Sequence, residues 1–228
     1  MIPQDSDVYI VTGAFGSGKT EFALNLAVHL KDSKPDVSLI DLDIVNMYFR
    51  SRHRADAMQS EFGVKVLSAH KGMEHADVPA LNPAIESEIA SPSITVLDLG
   101  GDHNGAVVLG RYKQILFKKK VSLIHVFNPY RPYADSVEKI QKLIAMLENT
   151  TELKTSLLMA NPNLGPETSM EDITEQIPFI KEVAEKTALP AVLMREHKFN
   201  EIDFSPSFPI KRNMLLPYEK ERGSAAFI

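Results

Sequence analysis

The residues with the plainest chemical purpose lie in one run, Gly13-Ala14-Phe15-Gly16-Ser17-Gly18-Lys19-Thr20. Its glycines permit backbone torsions that other residues resist, and they let the chain approach a ligand closely. A run of this kind, entering a helix, aims backbone amides and the helix N-terminus at one point. Lys19 adds a full positive charge suited to the β and γ phosphates of a nucleoside triphosphate, and the Thr20 hydroxyl suits Mg²⁺. The pattern GxxxxGK(S/T) therefore assigns nucleotide contacts to Gly13, Ala14, Phe15, Gly16, Ser17, Gly18, Lys19 and Thr20, continued by Glu21. The large apolar side chain in the run, Phe15, is expected to pack on the fold or on a partner.

A triphosphate site needs a second acidic group for the hydrated Mg²⁺. In open α/β sheets that group comes from the carboxyl end of a neighbouring strand. Ile94-Thr95-Val96-Leu97-Asp98 is such an ending, and Leu99-Gly100-Gly101 completes DxxG. Asp98 is the expected metal ligand. Gly101 is placed to bring a backbone amide to the γ-phosphate and so sense its presence. A second ending, Asp41-Leu42-Asp43, sets two carboxylates on one face, because alternate strand residues point the same way. Asp43 is the candidate to orient or deprotonate the attacking water, or to hold a metal-bound water. It joins Lys19 as the catalytic pair, and Asp41 reads as structural.

These groups need strands to carry them. Apolar β-rich runs occur at Val8–Thr12, Val37–Asp41, Val64–Ser68, Ile94–Leu99, Val121–Phe127, Ser156–Ala160 and Ala191–Met194. Most are continuous rather than alternating, which is the habit of parallel strands covered on both faces. Helical stripes lie between them. One is Phe22, Ala23, Leu26, Ala27 and Leu30; another is Val137, Ile140, Leu143, Ile144 and Leu147. A third, Ile173, Ile177, Ile180 and Val183, opens on Ser169 with Asp172 three residues later, a capping-box pattern. Pro178 should kink or divide it. The alternation predicts an α/β fold: a doubly wound, mostly parallel sheet with helices on both faces. Residues 1–228 read as one nucleotide-binding domain, with an irregular tail from about Phe204 and a short edge strand near Ile210.

The composition excludes other classes. The chain has 228 residues, a net charge of -5 and no cysteine, so it has neither a disulfide framework nor a thiolate metal site. Mild acidity gives no global field for nucleic acid. No apolar run approaches the ~20 residues that cross a bilayer. The opening MIPQDSDVYIV lacks the basic and apolar regions of a secretory signal, so a cytoplasmic location is expected.

With these motifs in place, the chain resembles the MinD/ParA-like branch of P-loop ATPases. GAFGSGKT, DLDIVNMYFRSR and VLDLGGD come in that branch's order and at about its spacing, and DLDIVN is the most specific match. The resemblance implies the P-loop NTPase fold, ATP rather than GTP, and nucleotide-dependent pairing of two subunits. It sets Asn161, in Met159-Ala160-Asn161-Pro162-Asn163, at the adenine-reading position. The residues agree independently: a guanine-reading NKxD needs lysine at 162 and aspartate at 164, where Pro162 and Leu164 stand. The departure is Ala14, where many members carry a lysine that reaches across the dimer. Arg50 and Arg52, after the DLD loop, are the candidate replacements as phosphate or partner contacts.

Weaker signals divide between site and scaffold. His70 and His75 lack metal-ligand spacing, and His103, after the DxxG loop, reads as a solvated loop histidine or a substrate or partner contact. Lys118–Lys120 reads as a helix C-terminus. The stretch Asn128-Pro129-Tyr130-Arg131-Pro132-Tyr133 ends a strand on the ligand side, where it can touch a partner or substrate, or simply fix a loop. The leading expectation is a Mg²⁺-dependent ATP hydrolase acting as a switch for a partner protein. A small-molecule kinase or ATP-dependent ligase, and a non-catalytic nucleotide-binding scaffold, are the alternatives.

Overall fold

The computed structural model describes residues 2–43, 55–68 and 83–212. Eight strands form one sheet: β1 (Val8–Thr12), β2 (Val37–Asp41), β3 (Lys65–Ser68), β4 (Ile94–Asp98), β5 (Val121–Phe127), β6 (Thr155–Ala160), β7 (Ala191–Glu196) and β8 (Ser207–Ile210). Their order across the sheet is β3-β2-β4-β1-β5-β6-β7-β8. Every adjacent pair is parallel. The expected "mostly parallel" sheet is thus parallel throughout its described strands. All five residues of β1 and of β2 are buried, as their unbroken apolar runs require.

Helices cover both faces. Tyr9 and Val11 of β1 point into a core closed by α1 (Lys19–Lys31) and by Met58 of α2 (Ala55–Phe62). Val8 and Ile10 point the other way. They meet α3 (Pro83–Ala90), α4 (His103–Gly110), α5 (Lys113–Leu116) and Leu147 of α6 (Val137–Thr151). The same face continues under α7 (Met170–Glu175) and α8 (Ile177–Thr187). The α1 stripe read from the sequence is entirely buried, and each such large apolar side chain contributes about 1.5–3 kcal/mol by leaving water.

The helix-start signals act as written. Ser169 accepts from the Asp172 amide, and the Asp172 side chain accepts from the Ser169 amide, a complete capping box. The stripe beyond it divides into α7 and α8, with Pro178 in the first turn of α8, where a missing N–H costs nothing. Lys118 and Lys119 close the end of α5, where their amides donate to Ile115 and Leu116 carbonyls.

The tail is more regular than expected. β8 pairs parallel with β7. Phe208 packs edge-on to Phe22 of α1, with ring centroids 5.3 Å apart. Beyond the strand, Asn25 donates to the Lys211 carbonyl (2.9 Å) and accepts from its amide (2.8 Å), tying the chain to α1. Pro206 and Pro209 make the rest of the tail read as irregular, and the short edge strand expected near Ile210 is β8. Edge strands accept proline, since one side of the backbone needs no ladder partner. No helix among the described residues is long and apolar enough to cross a membrane.

Candidate functional site

The sheet topology brings the chemical groups together. β4 lies between β1 and β2, and Asp98 stands level with Asp41 on one side and Val11 on the other. The carboxyl ends of three strands therefore meet beneath the loop that leaves β1. That loop, residues 13–18, is held open by its glycines. Gly18 has φ 90° and caps α1 without a side chain, so nothing of its own occupies the first-turn amides. By contrast, α4, α6 and α7 are capped by Asp102, Ser136 and Ser169. An uncapped N-terminus in this position suits an anionic ligand.

Two further glycines are fixed by close packing. A Cβ on Gly13 would stand 2.1 Å from the Val126 carbonyl oxygen, and one on Gly101 would stand 1.9 Å from the Gly13 carbonyl oxygen. The DxxG loop is thus seated against the start of the phosphate-type loop.

Lys19 and Asp43 form a buried ion pair, Nζ to Oδ2 2.9 Å. The Asp41 side chain accepts from the Asp43 amide at 3.1 Å, which supports the structural role expected of it. Asp98 is fully buried. Burial pushes its carboxyl up to about 6. The Lys19 charge and the nearby Thr20 hydroxyl pull down, and Asp43 adds to the rise. Although Thr20 lies close enough to act on it, neither Asp98 oxygen accepts a well-formed hydrogen bond among the described residues. A buried carboxylate left in that state is costly, and a cation would offset it.

Thr20 and Asp98 fit Mg²⁺ by this test. The donors are a hydroxyl and a carboxylate, which leaves most positions for phosphate oxygens and water, as Mg²⁺ prefers. Among the described residues no three His, Cys, Asp or Glu side chains converge as a self-sufficient metal cage. Asp43, the other expected metal contact, is engaged by Lys19.

Asn161 comes to the loop from the end of β6. Its side-chain amide donates to the Ser17 carbonyl at 2.8 Å, and its Nδ2 lies against Gly18. It therefore braces the loop from below, a part that motif position alone did not suggest. Asn161 also lines a cleft of ≈ 220 Å³ beside the loop, with Gly18, Thr20, Met194 and Glu196. Asn163, at the end of the Asn161-Pro162-Asn163 loop after β6, lines the cleft too; Met194 and Glu196 carry no sequence signal beyond their place at the carboxyl end of β7. Phe15 stands 68% exposed at the loop's tip, consistent with a partner-facing residue and not with packing on the fold. Glu21 lines the same cleft from α1. Arg50, Arg52, His70 and His75 lie outside the described residues. His103 is the exposed first residue of α4.

No protein-family model matches the chain, and no curated protein sequence matches it. Solved structures do. A nucleotide-binding protein from Archaeoglobus fulgidus in complex with ADP superposes with a TM-score of 0.53 at 17% identity, over 83% of this chain and 82% of that one. Chloroplast FtsY from Physcomitrella patens gives 0.54 at 14% identity, over 82% of this chain and 57% of its own. The signal recognition particle 54 kDa protein from Aeropyrum pernix, in complex with GDP, gives 0.52 at 15%, over 84% and 41%. The chain thus spans about half the length of these last two. The fold is that of the P-loop nucleotide-binding proteins. Within that class the neighbours do not select the MinD/ParA-like branch over others, for they include the signal recognition particle and its receptor.

Proposed function

We propose that this protein binds ATP with Mg²⁺ at the loop 13–20 and hydrolyses it, serving as a nucleotide-dependent switch for a partner protein. The observation that carries the reading is the buried Lys19–Asp43 pair beside an Asp98 carboxylate whose oxygens accept no well-formed hydrogen bond, under an uncapped helix N-terminus. Buried charges are costly inside a protein; a divalent cation would offset the Asp98 carboxylate, and phosphate oxygens would give Lys19 an anionic partner.

Lys19 turns from Asp43 to the phosphate oxygens, and Asp43 serves as the proton acceptor. Water adds to the γ-phosphorus as the bond to the bridging oxygen breaks, giving ADP and phosphate, with Asp43 taking the water's proton. Mg²⁺ held by Thr20 and Asp98 would neutralise phosphate charge. Gly101, seated on Gly13, couples the γ-phosphate to the DxxG loop, and its displacement on phosphate release is the signal a partner reads. The neighbours carry ADP in one case and GDP in another, so adenine rests on Asn161 and on the absence of NKxD. Phosphate release should proceed with ATP and Mg²⁺ alone and disappear in Lys19→Ala. Turnover that needed an added metabolite would turn the assignment toward a kinase or ligase.

A further inference from the structure

Arg131 follows β5 in a turn fixed at both ends. Its amide donates to the Asn128 carbonyl, and its carbonyl accepts from the Ala134 amide, each at 2.9 Å. The Asn128 side chain accepts from the Tyr130 amide (3.0 Å) and donates to the Asn163 carbonyl (2.8 Å), joining this turn to the loop after β6. Lys139 donates to the Pro132 carbonyl at 2.8 Å. The base of the arginine is therefore set by the framework around it.

Its side chain lies along the phosphate-type loop. A Cβ on Gly16 would stand 3.1 Å from Arg131 Nε, 3.4 Å from Cδ and 3.5 Å from Cζ, so the bare glycine makes room for the guanidinium. That group makes no hydrogen bond or ion pair among the described residues. The nearest acid along the chain, Asp135, is taken by Lys139 at 2.6 Å. Arg131 lines the same cleft as Lys19 and Thr20. Its planar fork of donors suits phosphate oxygens and is pre-organised for them.

We propose that Arg131 is a second phosphate-binding cation of this site, acting beside Lys19 from within the same chain. The inference rests on the nucleotide-binding reading above. It was partly visible in Asn128–Tyr133, but the sequence could not say that Arg131 reaches Gly16, 115 positions earlier by number (131 minus 16).

The test is competition of ATP, ADP and adenosine against a fluorescent nucleotide, with Mg²⁺ present, for wild type, Arg131→Met and Arg131→Lys. The methionine variant is expected to lose about ten- to hundredfold in ATP and ADP affinity and nothing in adenosine affinity. Lysine should recover part of the loss. Melting temperature should not move, since the guanidinium holds nothing in the fold. Equal losses for adenosine would reassign Arg131 to the base or ribose and overturn the proposal, as would unchanged ATP affinity in the methionine variant. A wild type that binds ATP no better than adenosine would remove the nucleotide-binding reading itself, and this inference with it.

Discussion

Replacing Asp98 with asparagine should make the metal-free protein more stable. Burial raises the Asp98 carboxyl from 3.8 to about 6 in the folded state. Between those values the folded state holds a proton that the unfolded state has released, so stability falls as pH rises through the window. Above it the whole cost of the buried charge is present, about 3 kcal/mol from roughly two pH units at 1.36 kcal/mol each. Asparagine keeps the shape and removes the charge, although its amide brings some desolvation of its own. Urea denaturation in EDTA should therefore show a gain of about 1–3 kcal/mol at pH 8, shrinking by about half at pH 5 and vanishing below about pH 4. Lys19 keeps Asp43 as its partner throughout, so no new orphan charge arises. Adding Mg²⁺ and ATP should reverse the order, stabilising wild type and not the variant. An Asp98→Asn variant less stable than wild type at pH 8, or a gap independent of pH, would refute the argument that this carboxylate is held at a cost for a cation.

Two further outcomes follow from the same geometry. Asp43→Asn removes the anion that holds Lys19, so ATP affinity by calorimetry should hold or rise by up to about tenfold, while phosphate release falls by about 10²-fold or more; parallel losses in both would make Asp43 a binding residue only. His125, on β5 beside Thr12, is buried, and burial alone lowers it from 6.5 to about 4. Its contribution to stability is complete above pH 6.5 and is lost as pH falls toward 4, where the unfolded chain binds the extra proton. His125→Leu should flatten that acid limb, in chemical denaturation, by about 3 kcal/mol. An unchanged limb would mean that other groups govern it.

Local chemistry was the legible part of this chain. Unbroken apolar runs announced the parallel strands, and the aspartates closing two of them lie level at neighbouring strand ends, as the sequence reading expects of a site in an open sheet. Ser169 and Asp172 marked a helix start from local context alone. Contacts distant in sequence were hidden. Asn161 reaches the Ser17 carbonyl across 144 positions, and nothing in either segment reports the other. Lys19 and Asp43 read from the sequence as partners of a ligand; that they pair with each other follows from folding β2 near the loop. The edge strand near Ile210 was legible, but its parallel pairing with β7 was not, because the low cost of its prolines depends on an edge position that only the assembled sheet defines.

The most direct test is calorimetric titration of ATP into well-folded wild-type protein and into Lys19→Ala, each with Mg²⁺ and with EDTA. Saturable heat in wild type, weakened by EDTA and lost in the alanine variant, is the predicted result. Wild-type protein that gives no heat with ATP and Mg²⁺, or an alanine variant that binds as well as wild type, would contradict the assignment of loop 13–20 as a triphosphate seat.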